Sequence, residues 1–316
     1  MANIAVNNYC NLACPYCFAN EFIAEEDKSS ITIEQLKYIL EYLSRSPIGR
    51  VGLIGGEPTI HPNIREILKV TTEFCEQFNT RWTMFSNGIN LGEVVDCFNS
   101  NVASCLINVN HPDILGNERW ARLKRSLDRF KLRNNLSKLS IGINLYPDMI
   151  DYQYIFALAE EYGFTSIRTS YVAPTCQFQG SNKDKYYTDA KDLFLRYVAD
   201  AKAHGLEVRL DCNHIPYCYF TDEEKAFMSD VVSGFHNYCN PVVDITPEFK
   251  ATACFGSYEL VDLEGFENML EVERYLCLKK MTPLAEANNG GKCATCPKHE
   301  NMSCQGGCLA FAKYNK

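Results

Sequence analysis

The sequence predicts an α/β fold: a partial (β/α)6 TIM-like barrel followed by a small cysteine-rich C-terminal domain. Three observations predict it. Short apolar runs alternate with amphipathic stretches from Val51 to about Asp211, a tight group of three cysteines follows the first apolar run, and nine of the 16 cysteines crowd into the region after Asp211, where the alternation stops. Alternating βα units build a parallel sheet covered by helices. The expected division is 1-211 for the barrel and 212-316 for the cysteine-rich part, and a chain of 316 residues has room for both.

Taken in order, strands are expected near 2-7, 51-54, 81-86, 104-109, 139-145, 166-171 and 207-211. The first helix opens with Thr32, followed three residues later by Gln35, and carries Ile33, Leu36, Leu40 and Leu43 at helical spacing. That is a capping-box pair ahead of one apolar face. Helices from about Asp151 to Tyr162 and from about Thr188 to His204 stop at Gly163 and Gly205, as helices do where glycine closes the last turn. A strand follows each glycine. Ligands of such folds sit at the C-terminal ends of the strands. Past Asp211 the regular elements are too few for a large core, so metal or cluster bonds would supply much of the folding energy.

Composition excludes several classes. Hydrophobic residues at 46% and charged residues at 22% are ordinary for a globular protein. Lys and Arg number 31 against 39 Asp and Glu, a formal charge of −8 without a basic run, so nucleic acid is not an expected partner. No stretch reaches the roughly 20 apolar residues that span a bilayer, and MANIAVNNYC lacks the features of a signal peptide. The expectation is a cytoplasmic protein with no membrane contact.

In a reducing compartment, clustered cysteines read as metal ligands rather than disulfides. The segment from Asn7 to Cys17 places Cys10, Cys14 and Cys17 within eight residues, directly after the first strand. Three thiolates from one loop hold three corners of a cubane cluster and leave one iron open. A structural zinc site takes four ligands and a ferredoxin cluster a fourth cysteine.

CNLACPYC resembles the Cys-x3-Cys-x2-Cys signature of the radical S-adenosylmethionine (radical SAM) superfamily, with the aromatic Tyr16 just before the third cysteine. Gly55-Gly56-Glu57-Pro58 resembles that family's GGEP element, and Ser86-Asn87-Gly88 its Ser/Thr-Asn-Gly element, each at a strand end. The resemblance implies a [4Fe-4S] cluster on Cys10, Cys14 and Cys17 whose open iron takes the amino and carboxylate groups of S-adenosylmethionine (SAM). One electron then splits the sulfonium into methionine and a 5′-deoxyadenosyl radical, which abstracts a hydrogen atom from substrate. It further implies Tyr16, Gly55, Gly56, Glu57, Pro58 and Ser86 as SAM-binding residues, the glycines bringing backbone close to the amino group. Glu57 is not expected to be a general base. Asn108 and Asn110 on the fourth strand, Asn144 on the fifth and Arg168 near the sixth are candidates to hold ribose and carboxylate, or are solvated or satisfied in the core.

Near the C-terminus, Cys293, Cys296, Cys304 and Cys308 form Cys-x2-Cys-x7-Cys-x3-Cys, with Cys212, Cys218, Cys239 and Cys254 upstream. This resembles the SPASM and twitch domains of radical SAM enzymes, which hold auxiliary [4Fe-4S] clusters. Phe249 stands at the family's usual glycine, the middle gap is seven residues rather than five, and no cysteine follows Cys308. One auxiliary cluster could use Cys218 or Cys212 with Cys239, Cys254 and Cys308. A second would have Cys293, Cys296 and Cys304 and need a fourth ligand, with Cys212 and Cys277 as possible sources, or an open iron. A zinc knuckle is the alternative for the last four thiols.

Cys75, Cys97, Cys105 and Cys277 are expected in packing roles. Cys176, in the loop after the sixth strand, is a candidate hydrogen-atom donor, and Tyr186 and Tyr187 are candidates to line the substrate mouth or are surface aromatics. The resemblance implies oxidative modification of a peptide, with a flavodoxin- or ferredoxin-type electron donor. The first strand begins almost at Met1, so no leader-recognition domain is expected ahead of it. Alternatives are a small-molecule dehydrogenase or epimerase acting on an aminocyclitol or sugar, and a non-catalytic metal-binding docking protein.

Overall fold

The computed structural model describes residues 1–17, 19, 22–23, 28–146, 149, 151–172, 182–212, 215–235, 238–256 and 259–314. Its strands are β1 (Ala2–Ala5), β2 (Val51–Ile54), β3 (Trp82–Ser86), β4 (Ala103–Asn108), β5 (Leu139–Leu145), β6 (Ser166–Tyr171), β7 (Glu207–Leu210), β8 (Val232–Ser233), β9 (Val243–Ile245), β10 (Lys250–Thr252) and β11 (Val261–Asp262). The helices that bear on the site are α1 (Ile33–Leu43), α2 (Ile64–Gln77), α3 (Pro112–Leu132), α4 (Gln153–Tyr162) and α5 (Lys183–Ala203). Parallel strands alternating with helices bear out the predicted α/β class.

The chain forms two compact units, each of two segments: Met1–Ser140 with Val242–Cys277, and Ile141–Pro241 with Leu278–Lys316. In the first unit β1 to β4 are parallel neighbours. Ile4, Leu53, Met84 and Ile107 are wholly buried, as parallel strands covered on both faces require. α1 starts with both halves of the capping box made by Thr32 and Gln35 and buries Leu36, Ile39, Leu40 and Leu43. Trp82, Phe98 and Phe130 pack ring against ring at centroid distances of 5.2 Å.

In the second unit β5 to β8 are parallel, Ile141 facing Ile167 and Val208 facing Val232. α4 closes at Gly163 with φ of 73°, the left-handed closure its sequence predicts.

Three elements differ from expectation. β1 ends at Ala5, because Asn7 leaves the sheet to bridge Ser30. α5 starts at Lys183 rather than near Thr188: Asn182 caps it by accepting from the Lys185 amide at 3.0 Å. And the region past Asp211 is not irregular throughout. β9 joins β1 in parallel, Ala2 facing Val243, and β10 and β11 extend that edge antiparallel. Strands of two or three residues are too short to show a two-residue period in sequence.

Asp244 on β9 is buried, and Asn3 donates to it at 2.7 Å. Gly52 makes room, since a Cβ there would lie 1.9 Å from the Asn3 side-chain oxygen. Burial pushes the Asp244 carboxyl up to about 7 from an ordinary 3.8. The folded protein therefore keeps a proton that the unfolded chain releases, and stability falls as pH rises from about 4 through about 7. Asp244→Asn is expected to flatten that decline, by on the order of 4 kcal/mol for a carboxyl shifted this far. Urea midpoints of parent and variant at about pH 4 and about pH 8 measure it.

Candidate active site

The loop after β1 carries Cys10, Cys14 and Cys17. It is held to the end of β2 by backbone bonds: the Gly56 amide donates to Asn7 at 3.0 Å and the Glu57 amide to Tyr9 at 3.0 Å. A Cβ on Gly56 would lie 2.0 Å from the Tyr9 carbonyl oxygen, and one on Gly55 2.3 Å from the Asn7 side-chain oxygen. The two glycines thus let the end of β2 lie directly against the cysteine loop. In these atoms the glycines bring backbone close to the Tyr9 carbonyl and to Asn7.

Glu57 is buried and its carboxylate is turned inward. One oxygen accepts from the Thr59 amide at 3.1 Å, the Thr59 hydroxyl at 2.5 Å and the Ser86 hydroxyl at 2.8 Å; the other accepts from the Asn87 amide at 2.7 Å. Burial pushes its pKa up while these donors pull it down. The carboxylate caps the short turn Pro58–Ile60, with Pro58 at its first position, and ties the end of β2 to the end of β3. Asn87 in turn donates to Asn11 at 2.7 Å, inside the cysteine loop. The GGEP and Ser-Asn-Gly elements and the three cysteines are therefore one connected structure.

Tyr16, buried, donates through its hydroxyl to Asn110, which lies just past β4, and the Asn110 side chain also lies within hydrogen-bonding reach of Cys14. The three thiols are near neighbours. Burial pushes Cys10 up to about 11, with Glu57 and Cys17 adding like charge, and Cys14 up to about 12, with Cys17 and Cys10 adding theirs; burial raises Cys17 as well. Iron binding would displace protons from all three. Asn108 and Asn7 each keep a buried side-chain oxygen without a hydrogen-bond partner. A clustered set of three thiols, with an unpartnered acceptor at the end of β4, fits an iron-sulfur cluster and a ligand rich in N–H and O–H donors. Asn7, Asn11, Thr59 and Asn87 are not among the expected site residues, although Asn11 and Asn87 lie inside the motifs and Asn7 and Thr59 beside them.

In the second unit Arg168 and Asn144 come together. Arg168 donates to Asn144 at 2.9 Å, to Ser170 at 3.0 Å and to Asp211 at 2.8 Å. Cys176 lies outside the described residues. Tyr186 and Tyr187 are buried, contrary to a place on the surface, because the early start of α5 turns both into a ring cluster with Tyr171, Tyr219 and Phe311.

All fifteen described cysteines are thiols outside any disulfide. Cys293 and Cys304 lie near enough to Cys218 to raise it beyond the effect of burial. Cys212 acts likewise on Cys239, which burial pushes up to about 12. Lys292 places its ammonium 4.3 Å from the Tyr219 ring centroid, which brings the 217–219 turn against the turn at Cys293. Cys304 accepts from the Gly306 amide at 3.4 Å. Cys308 donates its amide to the Tyr187 hydroxyl at 2.8 Å, and Cys296 donates its amide to the Cys293 carbonyl at 3.1 Å. Cys254 lies in the first unit, accepting from the Gly256 amide at 3.3 Å; its neighbour Phe255 stacks on Phe22 at 4.4 Å beside Cys17. Cys277 is exposed at the end of its helix, not buried as its apolar neighbours suggest. Among the described residues no three His, Cys, Asp or Glu side chains converge tightly enough to grip a single metal ion.

A cysteine triad after β1, joined to strand-end motifs of a parallel α/β fold, is the arrangement that the sequence resemblance implies. Residues 4–155 match the radical SAM superfamily. The superfamily is enzymatic and uses SAM with a [4Fe-4S] cluster. GTP 3′,8-cyclases of Brucella ovis and Brucella canis are 25% identical over 130 residues, 40% of this chain and 38% of theirs. The matched stretch is thus well under half the length of these curated relatives. Streptococcus suis SuiB bound to S-adenosylmethionine superposes with a TM-score of 0.66 at 18% identity, over 100% of this chain and 75% of that one. SuiB bound to the precursor peptide SuiA gives 0.59 at 17%, over 88% and 64%. The fold is shared, and the cysteine-rich C-terminus is consistent with an auxiliary domain. No helix among the described residues is long and apolar enough to cross a membrane.

Two variants test the connected structure. Glu57→Ala leaves buried donors on Thr59, Ser86 and Asn87 unpaired and is expected to cost roughly 3–5 kcal/mol, read as a lower melting temperature. Gly56→Ala, whose Cβ meets the Tyr9 carbonyl, is expected to lower the iron retained at Cys10, Cys14 and Cys17 after anaerobic reconstitution by at least about half.

Proposed function

We propose that this chain cleaves SAM reductively and uses the resulting radical for oxidative modification of a peptide. The observation that carries it is the single connected structure of Cys10, Cys14, Cys17, the GGEP turn and Ser86-Asn87-Gly88. When bound, the cluster and SAM supply a 5′-deoxyadenosyl radical able to take hydrogen from an unactivated carbon. The chain's own residues do the rest. Glu57 fixes the two strand ends, Tyr16 and Asn110 steady the loop around Cys14, and the unpartnered Asn108 oxygen accepts a hydrogen bond from the ligand. Gly55 and Gly56 lay backbone beside the site, and Asn144 with Arg168 is proposed for SAM on the strength of the family resemblance.

A peptide substrate is supported by SuiB, which has been captured with its precursor peptide SuiA. The C-terminal thiols support at least one auxiliary [4Fe-4S] cluster that accepts the electron left after hydrogen abstraction. We assign Cys218, Cys293, Cys296 and Cys304 to one such site, since Cys218 faces Cys293 and Cys304. Cys212, Cys239 and Cys308 are candidates for another. The division of roles at 1-211 and 212-316, a flavodoxin- or ferredoxin-type donor, and Cys176 as hydrogen-atom donor complete the proposal.

The test is anaerobic reconstitution, iron and sulfide analysis, and assay of 5′-deoxyadenosine after SAM and dithionite, beside a Cys10/Cys14/Cys17→Ala triple variant. The parent is expected to form 5′-deoxyadenosine, with the yield falling at least about 100-fold in the variant. About eight irons per chain would mean one auxiliary cluster and about twelve would mean two. A fully loaded parent that never cleaves SAM overturns the enzyme reading.

A further inference from the structure

Lys183, the first residue of α5, is buried in the second unit. Its side-chain nitrogen donates to the Asn288 carbonyl at 2.9 Å, to the Asn288 side-chain oxygen at 3.0 Å and to Cys293 Sγ at 3.4 Å. An ammonium has three N–H donors, and here each has one acceptor. A neutral amine has two.

The placement is unfavourable on general grounds. Lysine is among the residues least often buried without a partner, and a cation at a helix N-terminus meets the positive end of the backbone dipole. No carboxylate among the described residues forms an ion pair with Lys183. Two of its acceptors are amide oxygens, which bear no net charge, so the only acceptor able to carry a negative charge is the Cys293 sulfur. A buried cation needs a buried anion.

The surroundings keep this contact open. Gly306, with φ of +72°, lies over it: a Cβ there would be 2.8 Å from the Lys183 nitrogen and 3.0 Å from both Cys293 Sγ and the Asn288 carbonyl oxygen. Asn288 is itself pinned, its side-chain Nδ2 donating to the Gln305 carbonyl at 2.9 Å. Next along the helix, Asp184 accepts from the Lys292 amide at 3.2 Å, which fixes the turn entering Cys293.

We infer that Lys183 is the built-in countercharge of the metal site that includes Cys293, and that it raises the reduction potential of that site. The inference rests on the auxiliary-cluster reading of Cys218, Cys293, Cys296 and Cys304. A [4Fe-4S] cluster on four thiolates goes from a net charge of about −2 to about −3 when it takes one electron from an external donor, here dithionite, with no bond made or broken. A fixed ammonium, with an N–H pointed at a ligand sulfur, favours the more negative state. Lys183 acts through Cys293 and is a positioning residue, not a catalytic one.

The experiment uses the full-length chain with Cys10, Cys14 and Cys17 replaced by alanine, so that only auxiliary iron is present. In that background Lys183→Met, Lys183→Gln and Lys183→Arg are reconstituted anaerobically, iron and sulfide are counted, and midpoint potentials are read by dye-mediated dithionite titration with electron paramagnetic resonance. At equal iron, the Met and Gln variants are expected to titrate at a lower potential than the parent, and the Arg variant to return towards it. Equal potentials in all four proteins overturn the inference, as does an Arg variant shifted as far as Met. Loss of iron from Met, Gln and Arg alike overturns it too, since Lys183 would then be needed to build the site. A background protein that binds zinc or nothing overturns the cluster reading, and the iron count distinguishes that failure from the failure of the lysine.

Discussion

A buried carboxylate is costly unless each of its acceptor positions finds a donor, and the region around the cysteine triad is organised by meeting that demand at Glu57. The donors come from the Thr59 turn and from both Ser86 and Asn87. Satisfying one side chain therefore sets the relative position of two strand ends. Asn87 passes the constraint on to Asn11, and the Gly56 and Glu57 amides pass it to Asn7 and Tyr9. The cysteine loop has little regular structure of its own, so its shape is borrowed from the ends of the sheet. This is how a rigid scaffold gives a loop the positional accuracy that metal ligands need.

The second unit solves the same problem with a helix start. Lys183, Asp184 and Tyr187 fall within about one turn and a half of α5, and they reach Cys293, the Lys292 amide and the Cys308 amide respectively. Gly307, with φ of +90°, lies where a Cβ would stand 2.2 Å from the Tyr187 hydroxyl. The paired glycines of the CQGGC run are thus spacers between a cysteine-bearing turn and a helix, in the way Gly55 and Gly56 are spacers between a strand and a loop. In both places glycine marks where backbone must come close to other protein atoms.

What the sequence made legible were features with a strong local cause. Thr32 with Gln35, the glycine closure of α4 and the buried aliphatics of β2 and β5 each declare themselves within a few residues. The cysteine triad was legible because its spacing is unusual. The direction of a side chain was not: GGEP names Glu57 but not the inward turn of its carboxylate. Nor was the start of α5, where a polar run conceals the apolar face of Tyr186, Tyr187 and Ala190. Phe249 shows the opposite failure. It departs from the family's glycine in identity, yet its φ of 58° lies in the left-handed region that favours glycine, and its ring packs on Tyr38 and Tyr42 at 4.7 and 5.2 Å. The conformation carries a strain cost of about 1 kcal/mol or more, which that packing offsets.

The grip of α5 on the cysteine-rich segment has an evolutionary corollary. Its three side chains hold residues 292–293 on one side and residue 308 on the other, leaving the Pro297–Glu300 turn between them outside that grip. Insertions or deletions in the intervening stretch move neither anchor. Loop length is thermodynamically cheap to change when both ends are fixed. Seven residues in place of five between Cys296 and Cys304 is therefore a length change that this arrangement takes up in the intervening turn, leaving the α5 contacts of Cys293 and Cys308 in place.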